Sequence, residues 1–222
     1  MPVKTAVINR AVPGSGKTTI SNCIESYLSK KGLSVTLHST DRYFMTAEGR
    51  YAFDISQLYD NHLKNLMDFT ESIKEETDVV ICDNINLSPW QTESYTRVCR
   101  KFGYQIVMVS FSPRNLQDHV RSQQVTPEKP DAHGVPEEVL IRFIEEWKIY
   151  TPLLKKSTPI DPTVHKHYFW NELTHEKEES KESCRHFDLD HLIEIQPDTY
   201  HFMKRSIGSL VYDYVMNRHP IS

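Results

Sequence analysis

Between the apolar run TAVIN (5–9) and the first segment of helical periodicity stands PGSGKTT (13–19). Gly14 and Gly16 free the backbone for conformations that a Cβ forbids, and Lys17 follows with two hydroxyls, Thr18 and Thr19. The pattern G-x-x-x-x-G-K-[ST] describes a loop whose N–H groups encircle phosphate oxygens at a helix N-terminus. Ala11 replaces its first glycine, while Gly16, Lys17 and Thr18 hold their places. Pro13, Gly14, Ser15, Gly16, Lys17, Thr18 and Thr19 are therefore the expected nucleotide-binding set. Lys17 is expected to reach the β- and γ-phosphates of ATP and the Thr18 hydroxyl to ligate Mg²⁺. As a loop lysine, Lys17 is also expected to be exposed and to contribute little packing.

Two aspartates follow strand-like runs. Asp41 lies in HSTDRYF (38–44). A carboxylate at a strand end beside a phosphate loop can accept the proton of an incoming hydroxyl; an Asx turn or helix cap is its commoner use elsewhere. Asp83 closes DVVICDNIN (78–86). An apolar strand ending in aspartate is the arrangement that sets a carboxylate near a nucleotide's metal or its water shell. A turn, helped by Asn84 and Asn86, is the alternative.

The elements that must position these groups are legible in the periodicity. Strands are expected at 3–9, 34–38, 78–82, 105–111 and 192–195. Ile20, Ile24, Tyr27 and Leu28 mark a first helix with Gly32 at its end, and Leu58, His62, Leu66, Phe69 and Ile73 a second. Ser88 and Pro89 open a third that ends near Gly103. Pro136 opens another, with Leu140, Phe143, Ile144 and Trp147 on one face. Asp198 is expected to cap a last helix bearing Met203, Ile207, Leu210, Val211 and Tyr214. Strands alternating with helices imply a mainly parallel sheet with helices on both faces, a three-layer α/β sandwich, and the phosphate-loop motif makes the expected fold that of a P-loop NTPase. Ligands of such sheets sit at the carboxyl ends of the strands, where Gly14–Thr18, Asp41 and Asp83 all fall.

Residues 1–150 carry this pattern as one expected domain. Residues 151–222 are expected to form an extension docked on it, with HEKEESKES (175–183) as a solvated loop. His165, His167, His175 and His186 fit no zinc spacing and read as surface histidines of a charged segment. Tyr168, Phe169 and Trp170 suit either a base-stacking platform or, more commonly, an anchor that packs a tail onto a domain.

PGSGKTT, STDRYF, LYDNHLKNL, VVICDNINLSPWQTESY, GYQIVMVSF and HGVPEEVL occur in one order over residues 3–150. This set resembles the P-loop kinases of the polynucleotide-kinase type, including kinase-like ATPase domains with a DNTN segment. The resemblance implies an aspartate general base at Asp41, the DNTN aspartate at Asp83, and a lid arginine that clamps the transferred phosphate at Arg121. Phe44 stands where the phage enzyme of that family has an acceptor-contacting arginine. The second lid arginine has no match within QQVTPEKPDAHGVP, where Lys129 is the available cation.

Composition bounds the rest. At 222 residues, 38% hydrophobic and 25% charged, the chain can bury a real core. VVIC and IVMV are far too short to span a bilayer, so no membrane association is expected. Cys23, Cys82, Cys99 and Cys184 form no CxxC pair, and the first three read as buried thiols of a reducing cytoplasm. The net charge of −4 disfavours a broad nucleic-acid surface but leaves room for a local groove. Three readings follow: an ATP- and Mg²⁺-dependent kinase acting on the 5′-OH of RNA or DNA, a kinase of the zeta-toxin kind acting on a small molecule or nucleotide sugar, and a nucleotide-driven switch without phosphotransfer.

Overall fold

The computed structural model describes residues 2–127, 129, 132–171, 174 and 176–218. Five strands make one all-parallel sheet: β1 (Thr5–Arg10), β2 (Val35–His38), β3 (Val79–Cys82), β4 (Gln105–Phe111) and β7 (His191–Ile195). Their spatial order is β2-β3-β1-β4-β7, with Val7 beside both Ile81 and Val107. Successive side chains of a strand point to opposite faces, so the run of apolar residues in each buried strand feeds two cores.

On one face, Val7, Ile81, Val107 and Val109 pack against Ile20, Ile24 and Leu28 of α1 (Lys17–Lys30) and against Ile207, Val211 and Val215 of α6 (Tyr200–Val215). On the other, Ala6, Ile8, Val80, Cys82 and Ile106 meet Phe69 and Ile73 of α2 (Leu58–Lys74) and Tyr95 and Cys99 of α3 (Pro89–Lys101). A smaller core of Val12, Leu87 and Leu140 joins α4 (Leu116–Gln123) and α5 (Glu137–Tyr150) to the phosphate loop. Each fully buried aliphatic side chain in these layers contributes about 1.5–3 kcal/mol.

Local signals explain the boundaries. Gly32 follows the end of α1 at φ 82°, a left-handed position where glycine carries no Cβ penalty. At the start of α3, the Ser88 N–H donates to Gln91 Oε1 at 3.1 Å, with Pro89 as the first helical residue. The last helix departs from expectation. Thr199, not Asp198, precedes it, and α6 begins at Tyr200. Cys82, Cys99 and Cys184 are buried and Cys23 is half-buried.

The charged segment holds a second departure. Tyr168–Asn171 (β5) and Glu176–Glu179 (β6) pair antiparallel as a hairpin rather than a loop. Two of its aromatics act as an anchor, with Trp170 stacked on Tyr59 of α2 at 6.0 Å and Tyr168 meeting Trp90 of α3 edge-on at 6.1 Å, while Phe169 is exposed. The Lys177 ammonium lies 4.1 Å from the Tyr168 ring centre. His165 and His167 are buried rather than on the surface: His165 Nδ1 accepts the Asp161 N–H at 2.9 Å, and His167 Nε2 stands 3.7 Å from Glu93; His175 lies outside the described residues. Among the described residues no helix is long and apolar enough to cross a membrane.

Candidate nucleotide site

The loop from Ala11 to Gly16 leaves β1 and enters α1 with Gly14 at φ 82° and Gly16 at φ 85°. Both values lie in the left-handed region, and space forbids a side chain as well. A Cβ on Gly14 would stand 1.9 Å from Ser122 Oγ, and one on Gly16 2.3 Å from the Tyr200 hydroxyl. The first helical hydrogen bond of α1 runs from Ile20 N–H to Gly16 O, so the amides of Lys17, Thr18 and Thr19 precede it without intrahelical partners. Backbone donors and the positive end of the helix dipole therefore converge where an anion is stabilised. Thr18 and Thr19 are exposed there, and Pro13 is buried.

Lys17 is not the exposed residue its loop position implies. It is 7% exposed, with Nζ 3.6 Å from Asp41 Oδ2. Burial acts to lower its pKa, but the carboxylates of Asp83 and Asp41 outweigh burial and hold it above the ordinary value. The ammonium is buried because two carboxylates flank it.

Asp83 follows β3 and is fully buried. Its Oδ1 accepts from Asn9 Nδ2 at 2.7 Å, and the same amide donates to Ser21 Oγ at 2.7 Å. Asp83 Oδ2 has no hydrogen-bond partner among the described residues. The ends of β2 and β3 are then stitched together: Thr40 N–H donates to Asn84 Oδ1 at 3.0 Å and Ser39 Oγ to the Asp83 carbonyl at 3.2 Å. That stitch places the 3-10 turn Thr40–Phe44, and with it Asp41, beside the phosphate loop.

Asp41 has neighbours on three sides. Besides Lys17, the Tyr51 hydroxyl donates to Oδ1 at 3.2 Å, and His133 Nδ1 stands 3.7 Å from Oδ2. The Tyr51 and His133 rings stack at 4.1 Å and 18°. Burial, then the Asp41 charge, pushes the Tyr51 phenol well up, so it stays a hydrogen-bond donor. Phe44 is buried against Tyr51 and Phe53.

The structure thus brings together Lys17, Asp41 and Asp83. Arg121 is elsewhere: its side chain is 70% exposed, paired with Asp118 at 3.2 Å on the outer side of α4. Lys129 donates to the Ser122 carbonyl. The arginine that touches the loop is Arg114, whose Nη2 donates to Gly14 O at 2.8 Å. His119 and Tyr200 also reach loop carbonyls, at Pro13 and Gly16. No motif marks these three. Tyr51 had no signal beyond its aromaticity, whereas His133 opens the HGVP segment.

A glycine-rich strand–loop–helix turn at the carboxyl edge of a five-stranded parallel sheet defines a P-loop, kinase-like α/β protein. Residues 6–144 match the family model described as chromatin associated protein KTI12, and the chain belongs to that family. Similar folds include Kti12 of Chaetomium thermophilum in complex with ADP-AlF3, at 12% identity and TM-score 0.52, covering 95% of this chain and 98% of that one. A Chloroflexus aurantiacus protein reaches TM-score 0.54 at 11% identity over 98% and 100% of the two chains. The APS kinase CysC of Mycobacterium tuberculosis, solved with AMPPNP and APS, reaches 0.50 at 15% identity over 97% and 99%. The kinase-like part of the sequence-level resemblance is met at the level of fold; the polynucleotide-kinase type is not shown by the family model or by these three structures.

Proposed function

We propose that this chain is a Mg²⁺-dependent phosphotransferase that takes ATP and passes its γ-phosphate to a hydroxyl, with Asp41 receiving the hydroxyl's proton. The observation that carries the reading is the Lys17–Asp41 distance of 3.6 Å. A carboxylate at ion-pair range of the phosphate-binding ammonium stands where an attacking oxygen must lose its proton. The complexes of the two relatives with ADP-AlF3 and AMPPNP support a nucleotide in the loop.

The residues fit a hydrated divalent cation. Asp83 offers a buried carboxylate oxygen with no partner among the described residues, and Thr18 an exposed hydroxyl at the head of α1. When bound, the cation offsets charge on the phosphate oxygens. The chain's own groups do the rest. Lys17 and the amides of Lys17–Thr19 bind the β- and γ-phosphates, Asn9 holds Asp83 in place, and Tyr51 fixes the orientation of Asp41. A base so positioned is worth roughly 10²–10⁴ in rate.

Phe44 bears on the acceptor. Buried against Tyr51 and Phe53, it offers no charge to a phosphate beside the hydroxyl. This favours a small hydroxylated acceptor over a polynucleotide 5′ end. One observation favours a switch instead: the C-terminal helix bonds directly to the loop through Tyr200. Transfer from γ-labelled ATP to a panel of sugars, nucleosides and 5′-OH oligonucleotides, with a water-only control, tests all three. Label in a sugar or nucleoside is expected. Label on oligonucleotides restores the polynucleotide reading. Release of inorganic phosphate regardless of acceptor overturns the kinase in favour of the switch.

A further inference from the structure

A peptide plane carries its N–H and C=O on opposite sides, so a loop that turns amides toward phosphate must direct carbonyls away from it. In this chain those outward carbonyls are held by side chains from distant segments. Pro13 O accepts from His119 Nδ1 at 2.8 Å, and Gly14 O from Arg114 Nη2 at 2.8 Å. Gly16 O, already taking the Ile20 N–H, receives a second bond from the Tyr200 hydroxyl at 3.1 Å.

The three holders brace one another. His119 is fully buried, and its Nε2 accepts the Arg114 N–H at 3.0 Å, which leaves Nδ1 as the protonated donor aimed at Pro13. The Arg114 guanidinium lies over the Tyr200 ring at 5.9 Å. Arg114 and His119 come from the segment after β4, whereas Tyr200 is the first residue of α6. That helix lies so close to α1 that a Cβ on Gly208 would stand 2.4 Å from Tyr27 Cβ.

We infer that Arg114, His119 and Tyr200 are positioning residues of the phosphate loop, and that α6, through Tyr200, sets the loop's affinity for a nucleoside triphosphate. The inference rests on the reading that the loop binds ATP. It ties the C-terminal extension to the nucleotide site. The seating of α6 on α1 is transmitted to Gly16, so a displacement of the helix is felt as weaker nucleotide binding.

The test uses the full chain, a fluorescent N-methylanthraniloyl ATP with Mg²⁺, and a melting curve for each variant. Tyr200→Phe keeps the ring and removes one neutral hydrogen bond, so affinity is expected to fall ~3–10-fold, with the melting temperature lower by no more than about 5 °C. Gly208→Ala is expected to weaken binding as well, and the double variant to be no weaker than the weaker single, because both act through one bond. Parental affinity in Tyr200→Phe, while Lys17→Ala binds nothing, overturns this inference alone. Failure of the parent to bind, or binding by Lys17→Ala as tight as the parent's, overturns the ATP reading beneath it. Independent, multiplying losses in the double variant overturn the coupling through α6. Should Gly208→Ala fail to fold, Tyr200→Phe decides the matter.

Discussion

Lys17 Nζ stands 3.6 Å from Asp41 Oδ2, so the cation we propose for the phosphates and the carboxylate we propose as base form one ion pair. Asp83 adds a second negative charge to the same ammonium. On that proposal a nucleotide's phosphates would draw Lys17 from Asp41 and free that carboxylate, so filling the loop and unmasking the proposed base become a single event.

The pair changes what Lys17→Ala should do. Sequence alone implies a variant that loses nucleotide and keeps its stability. The buried position implies that removing the ammonium also leaves Asp83 uncompensated, at about 1–3 kcal/mol. We expect no detectable phosphotransfer or triphosphate binding and a melting temperature lower by roughly 3–10 °C. Adding Asp83→Asn should return much of the stability and none of the binding. Calorimetry with nucleotide titration on the two variants checks both halves.

Asp41→Asn keeps shape and the Tyr51 contact but cannot accept a proton. Single-turnover transfer should slow by roughly 10²–10⁴. Affinity for Mg·ATP should hold or tighten a little, since Lys17 is no longer held by a carboxylate. Transfer at the parental rate would remove Asp41 as the base and leave the loop assignment standing.

Acid should weaken the loop through His119. Burial is the main cause holding its pKa below the ordinary 6.5. The unfolded chain therefore takes up that proton first as pH falls. The stability due to neutral His119 is full above about pH 6.5 and is lost as pH drops from there through the folded-state pKa. Protonation also ends acceptance of the Arg114 N–H by Nε2. Melting temperature and Mg·ATP affinity should thus decline together on the acid side. His38 and His62 are lowered by burial too and add to the melting trend. In His119→Asn, whose amide can still donate to Pro13 O, the acid loss of affinity should flatten; an unchanged affinity profile would rule His119 out.

Much of this layout was open to reading because its signals are local. Gly14, Gly16 and Lys17 state the loop, unbroken apolar runs state β1, β3 and β4, and period-3.6 runs state α1, α2 and α5. The hairpin was not legible, since β6 reads EKEE and owes its strand to a partner, Tyr168–Asn171, rather than to its own pattern. The burial of Lys17 was hidden for the same reason, because Asp41 and Asp83 reach it only through the sheet. Tyr200 was least visible of all, as 184 residues separate it from the carbonyl it holds.

Removing everything after Tyr150 should abolish folding rather than trim it. The cut takes β7 from its pairing with β4 and takes α6 from α1. Ile193, Ile195, Ile207, Val211 and Val215 are all buried. At about 1.5–3 kcal/mol each they match the whole net stability of a domain, ~5–15 kcal/mol. A soluble 1–150 fragment with a cooperative melt would refute this; circular dichroism on that fragment is the check.

The strand order also has a consequence in time. β4 ends at Phe111 and its sheet neighbour β7 begins only at His191. During synthesis at about 5–20 residues per second, the apolar edge QIVMVSF waits roughly 4–16 s for the strand that covers it. Until then it is an unpaired parallel edge, open to pairing with a neighbouring nascent chain on the same messenger. Slow codons or a stall between those two strands would lengthen the exposure without altering one residue of the finished protein.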